Sequence, residues 1–259
     1  MNSNSDIAPD FNLVDKVALI TGAGRGIGRA CALACAAARA DIVLGVRDIN
    51  SASDLIAEIE MLGRQVLPVK LDISRRADVD ASVAAAIARF GRIDILVNNV
   101  GMAPGNPAKD VTEKDFDLIL EVNLKGTFFV TQAVAHTMIE RKSGRIINIS
   151  SQAGTVTLHG ESIYCMSKAA INHLTRCLAL EWAPYGITVN TVAPTFIWTD
   201  STKPALADPD FHRRTLAHIP LGRIGHPSEV VGAVVFLASP ASALITGTNL
   251  LVDGGWSIA

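Results

Sequence analysis

Tyr164-Cys165-Met166-Ser167-Lys168 sets a phenol and an ammonium group four residues apart. On a helix that spacing stacks both side chains on one face, one turn apart, where they reach a single ligand together. A free phenol, with a pKa of about 10, is a poor base at neutral pH; a neighbouring cation favours the phenolate and brings it toward the working range. The pair therefore suits proton exchange with a hydroxyl group. Tyr-x3-Lys alone is a common helix face and takes its meaning from its partners.

A second feature is the turn Thr21-Gly22-Ala23-Gly24-Arg25-Gly26-Ile27-Gly28, between an apolar run at 16–21 and an alanine-rich run at 27–38. Glycines there let the backbone take positive φ and let a pyrophosphate approach the amides at a helix N-terminus, where the helix dipole favours negative charge. Dinucleotide binding is the function this turn suggests, with Gly22, Arg25, Gly26, Ile27 and Gly28 around the phosphates. Its place at the first strand-to-helix junction separates it from an ordinary tight turn.

The elements that must hold these groups alternate. Strand-like runs occur at 16–21, 41–46, 66–71, 93–97, 145–149, 188–192 and 249–252. Helical patterns fall between them at 27–38, 51–62, 78–90, 112–140, 163–183 and 228–237. Near-continuous apolar strands alternating with helices predict an α/β fold: a single-domain, Rossmann-like, doubly wound sheet of seven parallel strands flanked by helices. We expect a flexible tail at 1–12, one catalytic domain at 13–259, and a substrate loop or lid at about 194–225, where Pro, Asp and His interrupt the pattern.

Composition narrows the function classes. Hydrophobic residues are 49% and charged residues 19% of the chain, which excludes a disordered protein and suggests much apolar surface sealed by the core or by other subunits. A net charge of −2 without any basic run offers no footprint for nucleic acid. The opening residues lack a basic and then apolar leader, and no apolar stretch is long enough to span a bilayer, so a soluble, cytoplasmic protein is expected. The four cysteines read as reduced thiols. Cys31 and Cys35 share a helix face without a nearby His or acid, and the six histidines do not cluster, so no metal is expected.

The spacing Thr-Gly-x3-Gly-x-Gly, with Tyr-x3-Lys downstream, resembles the short-chain dehydrogenase/reductase family, and the resemblance runs from Lys16 to Gly255. It implies further roles. Ser151, thirteen residues before Tyr164, matches the family serine that orients the substrate oxygen, with Ser150 the neighbouring alternative. Asn123 matches the asparagine that interrupts a long helix and positions a water beside the lysine. Asp72, followed by Ile73, matches the acid that contacts the adenine amino group. Asn98-Asn99-Val100-Gly101 matches Asn-Asn-Ala-Gly, placing Asn98 and Gly101 at the cofactor. Pro194-Thr195-Phe196-Ile197-Trp198-Thr199 resembles the family's Pro-Gly motif, with Thr195 replacing glycine, so Pro194, Ile197 and Thr199 would meet the carboxamide. The implied reaction moves a hydride between nicotinamide and a carbinol carbon. Tyr164 would exchange the hydroxyl proton, relayed through the ribose, Lys168 and water, while Ser151 stabilises the oxyanion.

Cofactor choice rests on the end of the second strand. The family's acidic position falls on Val46, and Arg47 with Arg25 would face a 2′-phosphate, which leans toward NADP over NAD and leaves dual use open. Asp48 lies two positions late.

The implied substrate loops offer Met102, Gln152, Glu161 and Trp198 beside Ser151 and Tyr164. Polar side chains there suit hydroxyl groups, and a basic lid residue would suit a carboxylate. The pattern is similar to sugar, polyol and sugar-acid dehydrogenases, including those for gluconate and 2-keto-3-deoxy sugar acids. The expected substrate is therefore a small polyhydroxylated secondary alcohol or ketone. It is also similar to 3-oxoacyl-carrier-protein reductases. A retired dinucleotide-binding sensor or scaffold is the alternative outside enzymes, opposed by competent residue types at all four catalytic positions. By resemblance a homotetramer is expected, with a dimer second.

Overall fold

The computed structural model describes residues 8–259. Seven parallel strands form one sheet: β1 Val17–Thr21, β2 Asp41–Val46, β3 Val66–Lys70, β4 Ile95–Asn98, β5 Gly144–Ile149, β6 Ile187–Pro194 and β7 Asn249–Val252. They lie in the order β3-β2-β1-β4-β5-β6-β7. Every residue of β1 and of β6 is buried, as a sheet covered on both faces requires.

Nine helices surround the sheet among the described residues: α1 Gly26–Ala37, α2 Ser53–Met61, α3 Arg76–Phe90, α4 Glu113–Leu120, α5 Thr127–Arg141, α6 Ser162–Trp182, α7 Lys203–Leu206, α8 Pro209–Ala217 and α9 Pro227–Ala238. One core layer joins α1, α2 and α9 to the sheet through Cys31, Cys35, Leu55, Ile59, Val230 and Val234. The other joins α3, α5 and α6 through Val79, Val83, Val134, Met138 and Leu178.

Strand order reverses direction between β1 and β4, paired as Ala18↔Ile95, Leu19↔Leu96 and Ile20↔Val97. In sheets of this kind such a reversal marks the usual ligand site, at the carboxyl ends of the two strands.

The helix expected at 112–140 carries the interruption that the resemblance implied at Asn123, as a π-helical turn at Glu121–Gly126. One stretch differs from the sequence pattern. The interval 194–225 is not wholly irregular, because it contains α7 and α8. Proline sits in the first turn of each, where a missing N–H costs nothing, and Asp208 caps α8 by accepting from the Asp210 and Phe211 amides. Those helix-starting residues also gave the segment its loop-like composition.

Of the expected tail, residues 1–7 lie outside the described residues. Residues next to the domain are attached: the Asp10 carbonyl accepts from Ala241 N–H at 3.0 Å, and the Phe11 ring lies 6.2 Å from that of Phe236 on α9.

Candidate active site

The site begins at the glycine turn. Gly22 and Gly26 take positive φ of 65° and 56°, and a Cβ on Gly28 would lie 2.3 Å from the Gly22 carbonyl oxygen. No side chain caps α1, and its first turn holds no acid. The opening amides of α1 therefore have no side-chain acceptor and lie beside alternating glycines, a cradle that fits a pyrophosphate. Asn99 braces this cradle: its Nδ2 donates to the Thr21 and Gly22 carbonyls at 3.1 and 3.3 Å, and its N–H donates to Thr21 Oγ1 at 3.0 Å.

Around the cradle the expected adenine-side residues separate by role. Asp72 Oδ1 accepts from Ser74 N–H and Ser74 Oγ, and those bonds hold its carboxyl below the usual range despite partial burial, with Arg47 and Arg75 adding attraction. Ile73 is buried against Gly126. Arg25 and Arg47 are exposed and make no ion pair among the described residues. Asp48 turns to its own chain, accepting from Asn50 N–H at 3.0 Å.

Asn98 points into the core. Its Nδ2 donates to Thr131 Oγ1 (2.7 Å) and Asn148 Oδ1 (2.8 Å), and Asn148 in turn donates to Thr175 Oγ1 (2.9 Å). This chain of bonds ties β4, β5, α5 and α6 together beneath the site. Thr131, Asn148 and Thr175 were not singled out in the sequence, because each looks like an ordinary polar residue inside an apolar element.

The four proton-handling candidates sit above that network. Lys168 on α6 is buried, at 5% exposure, and its Nζ donates to the Ile149 carbonyl at the end of β5 at 2.9 Å. The same Nζ lies 5.7 Å from the centre of the Tyr164 ring. Ser151 Oγ donates to Gln152 Oε1 (2.7 Å) and accepts from Ala153 N–H (3.1 Å). Asn123 is held by three bonds: Nδ2 donates to the Met102 carbonyl and to Ser167 Oγ, while Oδ1 accepts from Met102 N–H. Its side chain thus clamps the loop after β4 onto α6. Gly101 lies close beside it, where a Cβ would stand 3.2 Å from Lys168 Nζ.

Electrostatics depart from the sequence expectation of a depressed phenol. Desolvation pushes Tyr164 up to about 12, opposed by the neighbouring Ser151 hydroxyl and reinforced by Glu161 and Cys165. Desolvation also draws Lys168 down to about 8. In the free chain burial sets the direction of both shifts, up for the phenol and down for the ammonium.

The segment after β6 returns over the cradle. Pro194 ends that strand, Ile197 forms a bridge with Gly225, and the Thr199 methyl group would meet a Cβ on Gly26 at 3.4 Å. Trp198 packs into a separate cluster with Leu206, Ile219 and Ile224, its ring 5.8 Å from that of His212. On the facing side Gln152 is buried at 2% exposure, whereas Glu161 and Tyr164 line a cleft with the loop after β4. No group of three or more His, Cys, Asp or Glu side chains among the described residues is placed to hold a metal ion.

Residues 22–257 match the family described as enoyl-(acyl carrier protein) reductase. The chain is a member of the short-chain dehydrogenase/reductase family. It is 41% identical over 250 residues to the NAD-dependent glycerol dehydrogenase of Listeria innocua, spanning 96% of both proteins. It is 41% identical over 245 residues to the 3-oxoacyl-[acyl-carrier-protein] reductase of Synechocystis, spanning 94% of this chain and 97% of that one. Its fold matches the gluconate 5-dehydrogenase of Burkholderia cenocepacia in complex with NADP and tartrate with a TM-score of 0.93 and 37% identity, covering 97% and 98% of the two chains.

Within this short-chain dehydrogenase/reductase, sequence reasoning missed Ser167 and the Ile149 carbonyl, which hold Asn123 and Lys168. Ser167 carries a local signal, lying in the Tyr-x3-Lys stretch one residue before the lysine. A backbone carbonyl carries none.

Proposed function

We propose that the chain interconverts a secondary alcohol and a ketone on a small polyhydroxylated substrate, a polyol, sugar or sugar acid. The observation that carries this is the convergence of Tyr164, Lys168 and Ser151 at the carboxyl ends of the central strands beside the glycine cradle. When bound, the nicotinamide cofactor supplies or takes the hydride.

The side chains divide the remaining work. Tyr164, protonated at neutral pH, donates its hydroxyl proton to a ketone oxygen during reduction and takes one back during oxidation. Lys168, near 8 in the free chain, is poised to gain or lose a proton close to working pH and so to reload the phenol. Ser151 is our choice for the substrate oxygen; its hydroxyl must turn from Gln152 to donate there. Asn123 acts through position, holding Met102 and Ser167, and any water it orients for Lys168 would use the one remaining lone pair of Oδ1.

NADP is favoured slightly over NAD, with dual use open. Arg25 and Arg47 supply unpaired cations near Val46 and the cradle, while Asp48 lies two positions late and accepts from Asn50 N–H. The NADP of the gluconate 5-dehydrogenase relative agrees with this preference, and the NAD-dependent glycerol dehydrogenase relative keeps the alternative in play. We further propose a cytoplasmic homotetramer. A 3-oxoacyl-carrier-protein reductase is the second possibility, supported by the Synechocystis relative.

The test follows reduced-nicotinamide absorbance with both oxidised cofactors against polyols, sugars, sugar acids and a 3-hydroxyacyl ester. Cofactor binding without turnover of any member would sink the assignment and favour a sensor or scaffold.

A further inference from the structure

Glu161 immediately precedes α6, three residues before Tyr164. Its carboxyl group lies against the loop after β4 so closely that a Cβ on Gly105 would stand 2.6 Å from Oε1. Oε2 is buried and has no hydrogen-bond partner. Nor does the side chain cap its own helix. A buried acceptor without a donor carries a desolvation cost that the fold leaves uncompensated.

The surroundings supply no cation. Pro104, Asn106, Asp115 and Ile119 line the cleft that Glu161 shares with Tyr164, bringing a second acid and no base. Glu161 makes no ion pair among the described residues. The basic side chains of the lid are engaged elsewhere or open to solvent, since Arg213 pairs with Asp210 and Lys203 is exposed.

A free acceptor beside the proton-exchanging phenol is matched by a substrate group that donates. A hydroxyl on the carbon next to the reacting carbinol does so; a sugar acid carries such hydroxyls too, but its carboxylate adds negative charge against Glu161 and Asp115. Resting on the alcohol chemistry assigned above to Tyr164, we propose that Glu161 is a specificity-determining residue that accepts a hydrogen bond from that adjacent hydroxyl and, by its charge, selects neutral polyols over sugar acids.

Initial rates of the full chain with D-threitol and with D-gluconate, in whichever oxidised cofactor binds better, test this. The unmodified protein is expected to favour threitol by at least about tenfold in kcat/KM, the scale of one unfavourable charge contact in a partly desolvated site. Glu161→Gln should shrink that preference at least about fivefold, mainly by lowering KM for gluconate, whereas Glu161→Asp, which keeps the charge, should leave gluconate poor. Unchanged cofactor affinity and a cooperative melt establish that both variants are folded. Preference for gluconate in the unmodified protein, or an unaltered ratio in Glu161→Gln, would overturn the proposal and leave the alcohol-ketone assignment standing. Turnover of no polyol, sugar or sugar acid would overturn both.

Discussion

The Lys168 ammonium lies over the face of the Tyr164 ring, 5.7 Å from its centre, while its hydrogen bond goes to the Ile149 carbonyl. The lysine is thereby anchored to the end of β5 and held beside the phenol in a buried setting. Removing the phenolic hydroxyl should leave this anchor intact. Tyr164→Phe is expected to lose about 10²–10⁴-fold in kcat/KM, the usual span for a general acid–base, while reduced-cofactor affinity measured by fluorescence stays within about twofold. Retention of full turnover would refute the role given to Tyr164.

Lys168 is held below its ordinary pKa, so its folded-state charge is penalised. With a folded value of about 8 against 10.5 for the ordinary group, the penalty is complete below pH 8 and fades as pH rises toward 10.5. Lys168→Met relieves that penalty but leaves the Ile149 carbonyl without a donor, at about 1–3 kcal/mol. Its melting temperature relative to the unmodified protein should therefore be most favourable below pH 8 and fall as pH rises toward 10.5, while turnover is lost.

Glu161 gives the opposite dependence in the acid range. Burial raises its carboxyl to about 6 from an ordinary 4.5, so the charged form destabilises the fold above pH 6 and the cost disappears as pH falls below 4.5. Partial exposure reduces that cost to about 1 kcal/mol. Thermal melts of Glu161→Gln should exceed those of the unmodified protein by roughly 2–4 °C at pH 7.5 and converge on them as pH falls below 4.5.

Gly28 carries no positive φ, and its requirement is spatial. A methyl group there would stand 2.3 Å from the Gly22 carbonyl oxygen and 2.4 Å from Asn99 Nδ2, neither free to withdraw without opening the cradle. Gly28→Ala should cost about 1–3 kcal/mol of stability and weaken cofactor binding measured by calorimetry. Unchanged affinity would disconnect the cradle from the cofactor.

Arg47 is exposed at the end of β2 without an ion-pair partner among the described residues. Arg47→Ser should weaken NADP affinity by about 10-fold or more and leave NAD within about twofold, as expected when a charge-assisted contact to a 2′-phosphate is removed. Equal losses for both cofactors would assign Arg47 elsewhere.

Glycines ending an apolar run, Tyr164 and Lys168 one helical turn apart, and seven apolar strands alternating with helices were legible from sequence because each is a local relation, set by backbone conformation or periodicity. The adjacent residues Asn98 and Asn99 show where local relations stop. Asn98 braces the core through Thr131 and Asn148, and Asn99 braces the glycine turn. Alternating side chains of a strand end face opposite layers, and what occupies each layer is settled by residues tens of positions away.

The pairing of phenol and ammonium follows from sequence alone, since helix geometry puts positions 164 and 168 on one face. Their protonation does not. Tyr164 at about 12 and Lys168 at about 8 result from burial beneath loops contributed by distant strands, and the unpartnered oxygen of Glu161 results from its packing on Gly105. Desolvation depends on everything that surrounds a group in space, so only the tertiary structure decides it.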